Sequence, residues 1–107
     1  MLKNDKIDMV RNISLIIPSQ NAETKLLRLL RYIPSWEAIP NEIIIVDSSQ
    51  KKFLIPDDFE LLVKKLGIKL LVLYGKNLYP GHARNIGINN STNSLLAFLD
   101  TSTYPNE

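Results

Sequence analysis

The sequence contains no cysteine and a single histidine, His82. Without thiols there is no disulfide framework, no thiolate metal site and no cysteine nucleophile. A lone His82 has no partner at ligand spacing, so it reads as a surface or turn residue. Long hydrophobic runs are missing too. Leu70-Leu71-Val72-Leu73 is among the longest and is far too short to cross a bilayer. The stretch from Met1 to Arg11 is polar and has no apolar signal-peptide core. The expectation is a cytoplasmic domain with no membrane span. An excess of one charge sign is also lacking. Lys and Arg number 13 against 11 Asp and Glu, a net charge of +2, with the basic residues scattered among acids. That pattern argues against a nucleic-acid partner. The 107 residues are 45% hydrophobic and 22% charged, the composition of one ordinary globular domain with a single core.

What is present is a regular alternation. Apolar runs at Ile13 to Ile17, Ile43 to Val46, Ile68 to Leu73 and Leu95 to Leu99 are nearly continuous rather than alternating. Strands read this way when a sheet is covered on both faces. Between them, Leu26, Leu29, Leu30 and Ile33 share one helix face, as do Phe59, Leu62, Val63 and Leu66. Asn21 is placed to cap the first of these helices, and Pro34 stops it. Gly67 terminates the second, whose acids crowd its start and whose lysines crowd its end. A third, less amphipathic helix runs from about Pro80 to Asn89, with Ala83, Ile86 and Gly87 facing inward. The pattern predicts an α/β, Rossmann-like parallel sheet of four strands with right-handed crossovers and helices on both faces. Residues 1–12 are expected to be a loose lead-in, and 13–107 the domain.

In an open parallel sheet the ligand sits outside the carboxyl ends of the strands, where strand order reverses. The residues that follow the runs are Pro18-Ser19-Gln20-Asn21, Asp47-Ser48-Ser49, Tyr74-Gly75-Lys76-Asn77 and Asp100-Thr101-Ser102. Two of these segments begin with Asp. One such Asp is commonly a turn or cap residue; two on one edge, with Arg84 nearby, point to a polar site. A nicotinamide site would need Gly-x-Gly-x-x-Gly after the first strand, and Pro18 to Asn21 does not provide it. A phosphorylated receiver would need an acidic pair there, which is also missing.

The quoted segments carry a family resemblance. Ser14-Leu-Ile-Ile-Pro-Ser-Gln-Asn21 resembles the opening strand of family-2-type glycosyltransferases with the A-type fold. Ile44-Ile-Val-Asp-Ser-Ser49 is similar to their second strand and its nucleotide-contacting Asp. Gly81-His-Ala-Arg-Asn-Ile-Gly-Ile88 resembles their Ala-Arg-Asn-x-Gly helix, and Leu96-Ala-Phe-Leu-Asp-Thr-Ser102 falls where the family has an Asp-x-Asp motif. The resemblance implies the strand order 3-2-1-4 and a nucleotide-sugar donor of the UDP type, with transfer by inversion. It gives Pro18 the shaping of the turn, Gln20 and Asn21 the lining of the base, and Asp47 a hydrogen bond from the base imide. Arg84 would reach a base carbonyl or a phosphate oxygen. Asp100 would meet the ribose and a divalent metal, Mg²⁺ or Mn²⁺.

Ser102 stands in place of the family's second carboxylate, and a neutral hydroxyl is a poorer ligand for a hard cation. Gln20 stands where the family commonly has Tyr. The resemblance also implies a further acceptor-binding half carrying the catalytic base, so this chain is expected to be the nucleotide half, inactive in transfer by itself. The fourth strand would then be an unprotected apolar edge, and the expectation is a homodimer formed there. The alternative reading is a non-catalytic binding or assembly module that kept the fold and lost the chemistry.

Overall fold

The structure, a computed structural model, describes residues 10–101. Strand β1 (Val10–Ser19) enters the middle of a sheet and leads into helix α1 (Glu23–Tyr32), which closes in a 3-10 turn over Ile33–Ser35 containing Pro34. Strand β2 (Ile39–Asp47) is followed by α2 (Asp57–Lys65), β3 (Lys69–Tyr74), α3 (Pro80–Asn89) and the short β4 (Leu96–Phe98). All pairings are parallel and the order is β3-β2-β1-β4, as expected.

The continuous apolar runs now have their reason. Along β1, Leu15 and Ile17 face one side and Ile16 the other, and all three are buried. Leu15, Ile17, Ile43 and Ile45 pack under Leu26, Leu29, Leu30 and Ile33 of the first helical segment and Phe59, Val63 and Leu66 of the second. Ile16, Ile44 and Val46 form the opposite core with Ala83 and Ile86 of α3. Helices therefore cover both faces, α1 and α2 on one and α3 on the other.

Two glycines do what no other residue could do as cheaply. Gly67 adopts φ +75 and ends α2: its N–H donates to the Lys64 carbonyl at 3.1 Å while Ile68 N–H donates to Val63 at 2.8 Å. That pair of bonds satisfies the last carbonyls of the helix. Gly87 lies against β1, where a Cβ would run into Cγ2 of the fully buried Ile16. An isoleucine branched at Cβ has little freedom to yield. Gly87 thus lets α3 lie close to the sheet and holds Arg84, one turn earlier, near the end of β1.

The details differ from expectation in several places. Asn21 does not cap α1: the N-cap is Ala22, with no side-chain cap bond, and Asn21 adopts φ 49 instead. Its side chain is taken by a neighbouring loop, described below. Leu62 is 37% exposed because α2 turns only Phe59 and Val63 fully inward, with Leu66 buried just past its end. β1 starts at Val10, extended past the apolar run by pairing with Ile39. Ser102 and the segment from it to Glu107 lie outside the described residues.

A polar cluster that patterning did not anticipate sits at the amino end of the sheet. Glu42, 1% exposed, accepts from the Ser14 hydroxyl at 2.5 Å and the Thr92 N–H at 2.8 Å, and Lys69 Nζ lies 3.5 Å from its other oxygen. Asn93 donates to Ser14 and to Asn41, which ties the α3–β4 connection to β1 and β2. The Ser14 N–H donates to the Leu95 carbonyl at 3.0 Å, and this connection sets the register of β4.

Candidate functional site

Register brings the strand ends level. Ser19 pairs with Asp47 and Asp47 with Tyr74, while β4 reaches the same edge through Leu99, whose N–H donates to Ile16. The chain runs β1 to β2 to β3 in one direction and returns to the other side of β1, so strand order reverses between β1 and β4. A hollow of about 180 Å³ opens at that point, lined by Pro18, Gln20, Ser48, Arg84, Asp100 and Thr101 among others. A larger one of about 630 Å³ lies over the start of α1, bounded by Gln20, Asn21, Lys25, Ser49, Lys51 and Thr101. A third, about 260 Å³, lies toward β3 between Gln20, Ser48, Gln50, Tyr74, Lys76 and Asn77. Gln20 borders all three. The largest hollow is not the one holding Arg84 and Asp100. The smaller hollow is the better candidate for chemistry because it sits at the reversal point, between the carboxyl ends of β1 and β4.

Of the residues picked from sequence, Pro18, Gln20, Arg84 and Asp100 come together in that hollow, and Asn21 stands in the two adjoining ones. Asp47 is at the same end of the sheet but lines none of the three. It is 1% exposed, and both carboxylate oxygens are engaged. Oδ1 accepts from Ser49 N–H at 3.2 Å and from the Ser49 hydroxyl at 2.5 Å; Oδ2 accepts from Phe53 N–H at 2.7 Å.

Asp47 is the centre of a knot that closes the β2–α2 loop. The Ser49 hydroxyl, donating to Asp47, accepts from the Asn21 N–H at 2.7 Å, and Asn21 Oδ1 accepts from Gln50 N–H at 3.0 Å. Tyr74 donates its phenol to the Ser49 carbonyl at 2.7 Å, and Lys52 Nζ rests 5.3 Å from the centre of the Tyr74 ring. An Asn tolerates the left-handed backbone that Asn21 needs here better than most residues with a side chain. The wall that the ligand would meet is therefore built from behind by Asp47 and from the side by Asn21.

Sequence reasoning placed Ser48 and Thr101 in the segments that follow β2 and β4 but gave neither a role. Ser48 borders two hollows and Thr101 two, although both are mostly buried. No sequence signal marked Ser48, because it follows the last residue of β2 and the inward turn of Asp47 depends on the closed loop.

The sequence model of the family described as Glycosyl transferase family 2 matches residues 14–106. The chain belongs to this family. The residues that line the candidate site fall within the family 2 match. Among solved structures, S. aureus TarS residues 1–349 superimposes with a TM-score of 0.62 at 23% identity, covering 88% of this chain and 28% of that one. A second S. aureus TarS structure gives 0.61 and 21%, covering 85% of this chain and 16% of that one. At such identity the likeness is one of fold. The chain spans less than a third of the length of either TarS chain. A comparison with curated proteins finds no match. No helix among the described residues is long and apolar enough to cross a membrane.

The fold family brings with it the question of a divalent cation. Among the described residues, no group of three or more His, Asp or Glu side chains converges. Asp100 is, of the described residues, the one carboxylate bordering the switch-point hollow, and it shares that hollow with Arg84. This donor set fits Mg²⁺ or Mn²⁺ only in company with ligand oxygens. Mg²⁺ in particular is commonly held by one or two carboxylates plus substrate phosphates.

Proposed function

We propose that this family 2 chain binds a nucleotide-sugar donor of the UDP type at the switch-point hollow and serves the donor side of glycosyl transfer. The observation that carries this reading is the meeting of Gln20, Arg84 and Asp100 in one hollow at the carboxyl ends of β1 and β4. Pro18 sets the turn, and Gln20 and Asn21 stand beside the base. Arg84, a fixed cation with several donors, takes a phosphate oxygen. Asp100 accepts from a ribose hydroxyl and, with the diphosphate, holds a divalent cation that would offset charge on the leaving group. Asp47 acts behind the wall. The acceptor and the transfer step belong to the same proposal.

Calorimetric titration with UDP tests it. Saturable binding is expected, tighter with Mg²⁺ or Mn²⁺ than without, while either ion alone gives no saturable signal at the same concentrations. Arg84→Ala should weaken binding by roughly 10- to 100-fold, the worth of a hydrogen bond to a charged group. Silence toward UDP from a folded chain would favour the other reading, a non-catalytic module, which the occupied carboxylate of Asp47 supports.

A homodimer through β4 belongs to the same proposal. Leu95 is 60% exposed and Phe98 42%, and the edge from Leu95 to Leu99 carries no charge or proline to discourage pairing. Sedimentation of the purified chain should give twice the monomer mass, reduced by Phe98→Lys. A monomer at high concentration contradicts it.

A further inference from the structure

The geometry points to Asn93, with Ser14 and Glu42, as the positioning device that sets the register of β4 and so delivers Asp100 to the switch-point hollow. The role given to Asp100 rests on the nucleotide-sugar reading above; the register does not. Strand β4 has little else to hold it in place. It pairs with β1 at three positions only, Ser14 with Leu96, Leu15 with Ala97 and Ile16 with Phe98. None of Leu95 to Leu99 is fully buried, and all five are apolar. An alternating strand is pinned, because a one-residue slip sends its apolar face to solvent. This run does not alternate, so burial alone discriminates poorly between registers. The consequence at the site is large. One residue of slip moves the chain by about 3.3 Å and turns every side chain to the other face. Leu99 or Thr101 would then stand where Asp100 does.

What discriminates is polar and lies at the end of the sheet opposite the hollow. Asn93 donates from Nδ2 to the Ser14 hydroxyl at 3.0 Å and to Asn41 Oδ1 at 2.7 Å, and its N–H reaches Ser14 at 3.3 Å. The Ser14 hydroxyl in turn donates to Glu42 Oε1, which also accepts from the Thr92 N–H and hydroxyl. Ser14 and Glu42 are buried in the two central strands and cannot follow a slipping edge strand. Any other register draws Thr92 and Asn93 away and leaves a buried carboxylate and a buried hydroxyl short of partners. That is unfavourable in a way the apolar run is not. These contacts select one register among several that packing would accept, as a single buried polar residue does in paired helices.

Amide hydrogen exchange of Asn93→Leu, which keeps the bulk and removes the side-chain bonds, tests the inference. The Leu99 N–H donates to the Ile16 carbonyl at 3.1 Å in the native register. Its exchange should quicken by about tenfold or more in the variant, while amides bonded between β1 and β2 keep their wild-type rates. Thr92→Val is milder and should quicken Leu99 to a smaller extent, which keeps the test open if Asn93→Leu does not fold. At the site, UDP affinity should fall roughly tenfold in Asn93→Leu. Added to Asp100→Ala, the same change should cost less than about twofold, because both remove one contact. Val63→Ala, which loosens the α2 core instead, should leave UDP affinity within about twofold of wild type. Unaltered Leu99 exchange in whichever variant folds overturns the inference, and so do losses of affinity that simply add. If the wild-type chain ignores UDP, the donor reading fails, and the Leu99 amide still decides the register.

Discussion

Replacing Asp47 with Ala is expected to lower stability by about 3–5 kcal/mol, because the Ser49 and Phe53 N–H groups lose their acceptor inside the fold. The Ser49 hydroxyl loses its acceptor as well, although it can rotate toward another. An ordinary domain has about 5–15 kcal/mol to lose, so the variant should unfold at a much lower urea concentration. Asp47→Asn should fall between, since its amide keeps one acceptor oxygen and sets an NH₂ against a donor. Ser49→Ala should cost about 1–3 kcal/mol, because its hydroxyl both donates to Asp47 and accepts from the Asn21 N–H. Urea midpoints with unchanged slopes are the measurement. A loss below about 1 kcal/mol for Asp47→Ala would show that the loop is not organised by this carboxylate.

The second large effect lies at the opposite end of the sheet. Burial alone pushes the Glu42 carboxyl up, but the Ser14 hydroxyl, the Thr92 N–H and hydroxyl, and Lys69 together outweigh it and hold the group below its ordinary 4.5. A carboxyl held low in the folded state binds fewer protons than in the unfolded chain. Its contribution is therefore complete above pH 4.5 and is lost as pH falls through the lower folded value. Glu42→Ala should lower stability at neutral pH by about 2–4 kcal/mol, somewhat less than a fully buried pair because Lys69 can turn to water. Glu42→Gln should flatten part of the acid limb. Asp58 on the surface is also held low, first by its hydrogen bond from Arg31, so the difference between wild type and Glu42→Gln isolates Glu42. An unchanged slope between neutral pH and the acid transition in Glu42→Gln contradicts this account.

The architecture was legible because its signals are local and repeated. Leu26, Leu29, Leu30 and Ile33 fall on one helix face whatever surrounds them, and Gly67 ends its helix by a backbone property of glycine itself. Runs such as Ile43 to Val46 announce a strand covered on both sides. What patterning could not give was the direction of a particular polar side chain. Asn21 has the composition of an N-cap, yet its backbone is left-handed and its amide serves Gln50 across the loop.

Asp47 was recognisable as special from its place after a strand, but not as inward-facing. That depends on Ser49 and Phe53, two and six residues on, whose N–H groups converge on it only once the loop has closed. Glu42 was less visible still. An acid between Asn41 and Ile43 reads as a solvent-facing strand residue until Thr92, from beyond α3, supplies the hydrogen bonds that permit its burial. Gly87 and Arg84 show the reverse case. Spacing on one helix predicted that the small residue would face inward, and close packing against Ile16 then brings the guanidinium to the end of β1.

The most direct test of the account is a map of where a nucleotide touches the chain, obtained from backbone amide NMR shifts during titration with UDP in the presence of Mg²⁺. The account predicts saturable shifts concentrated at Gln20, Ser48, Arg84, Asp100 and Thr101, with Glu42, Thr92 and Asn93 at the far end of the sheet unmoved. Shifts centred on that far end, or none at any residue while the spectrum remains that of a folded protein, would contradict it.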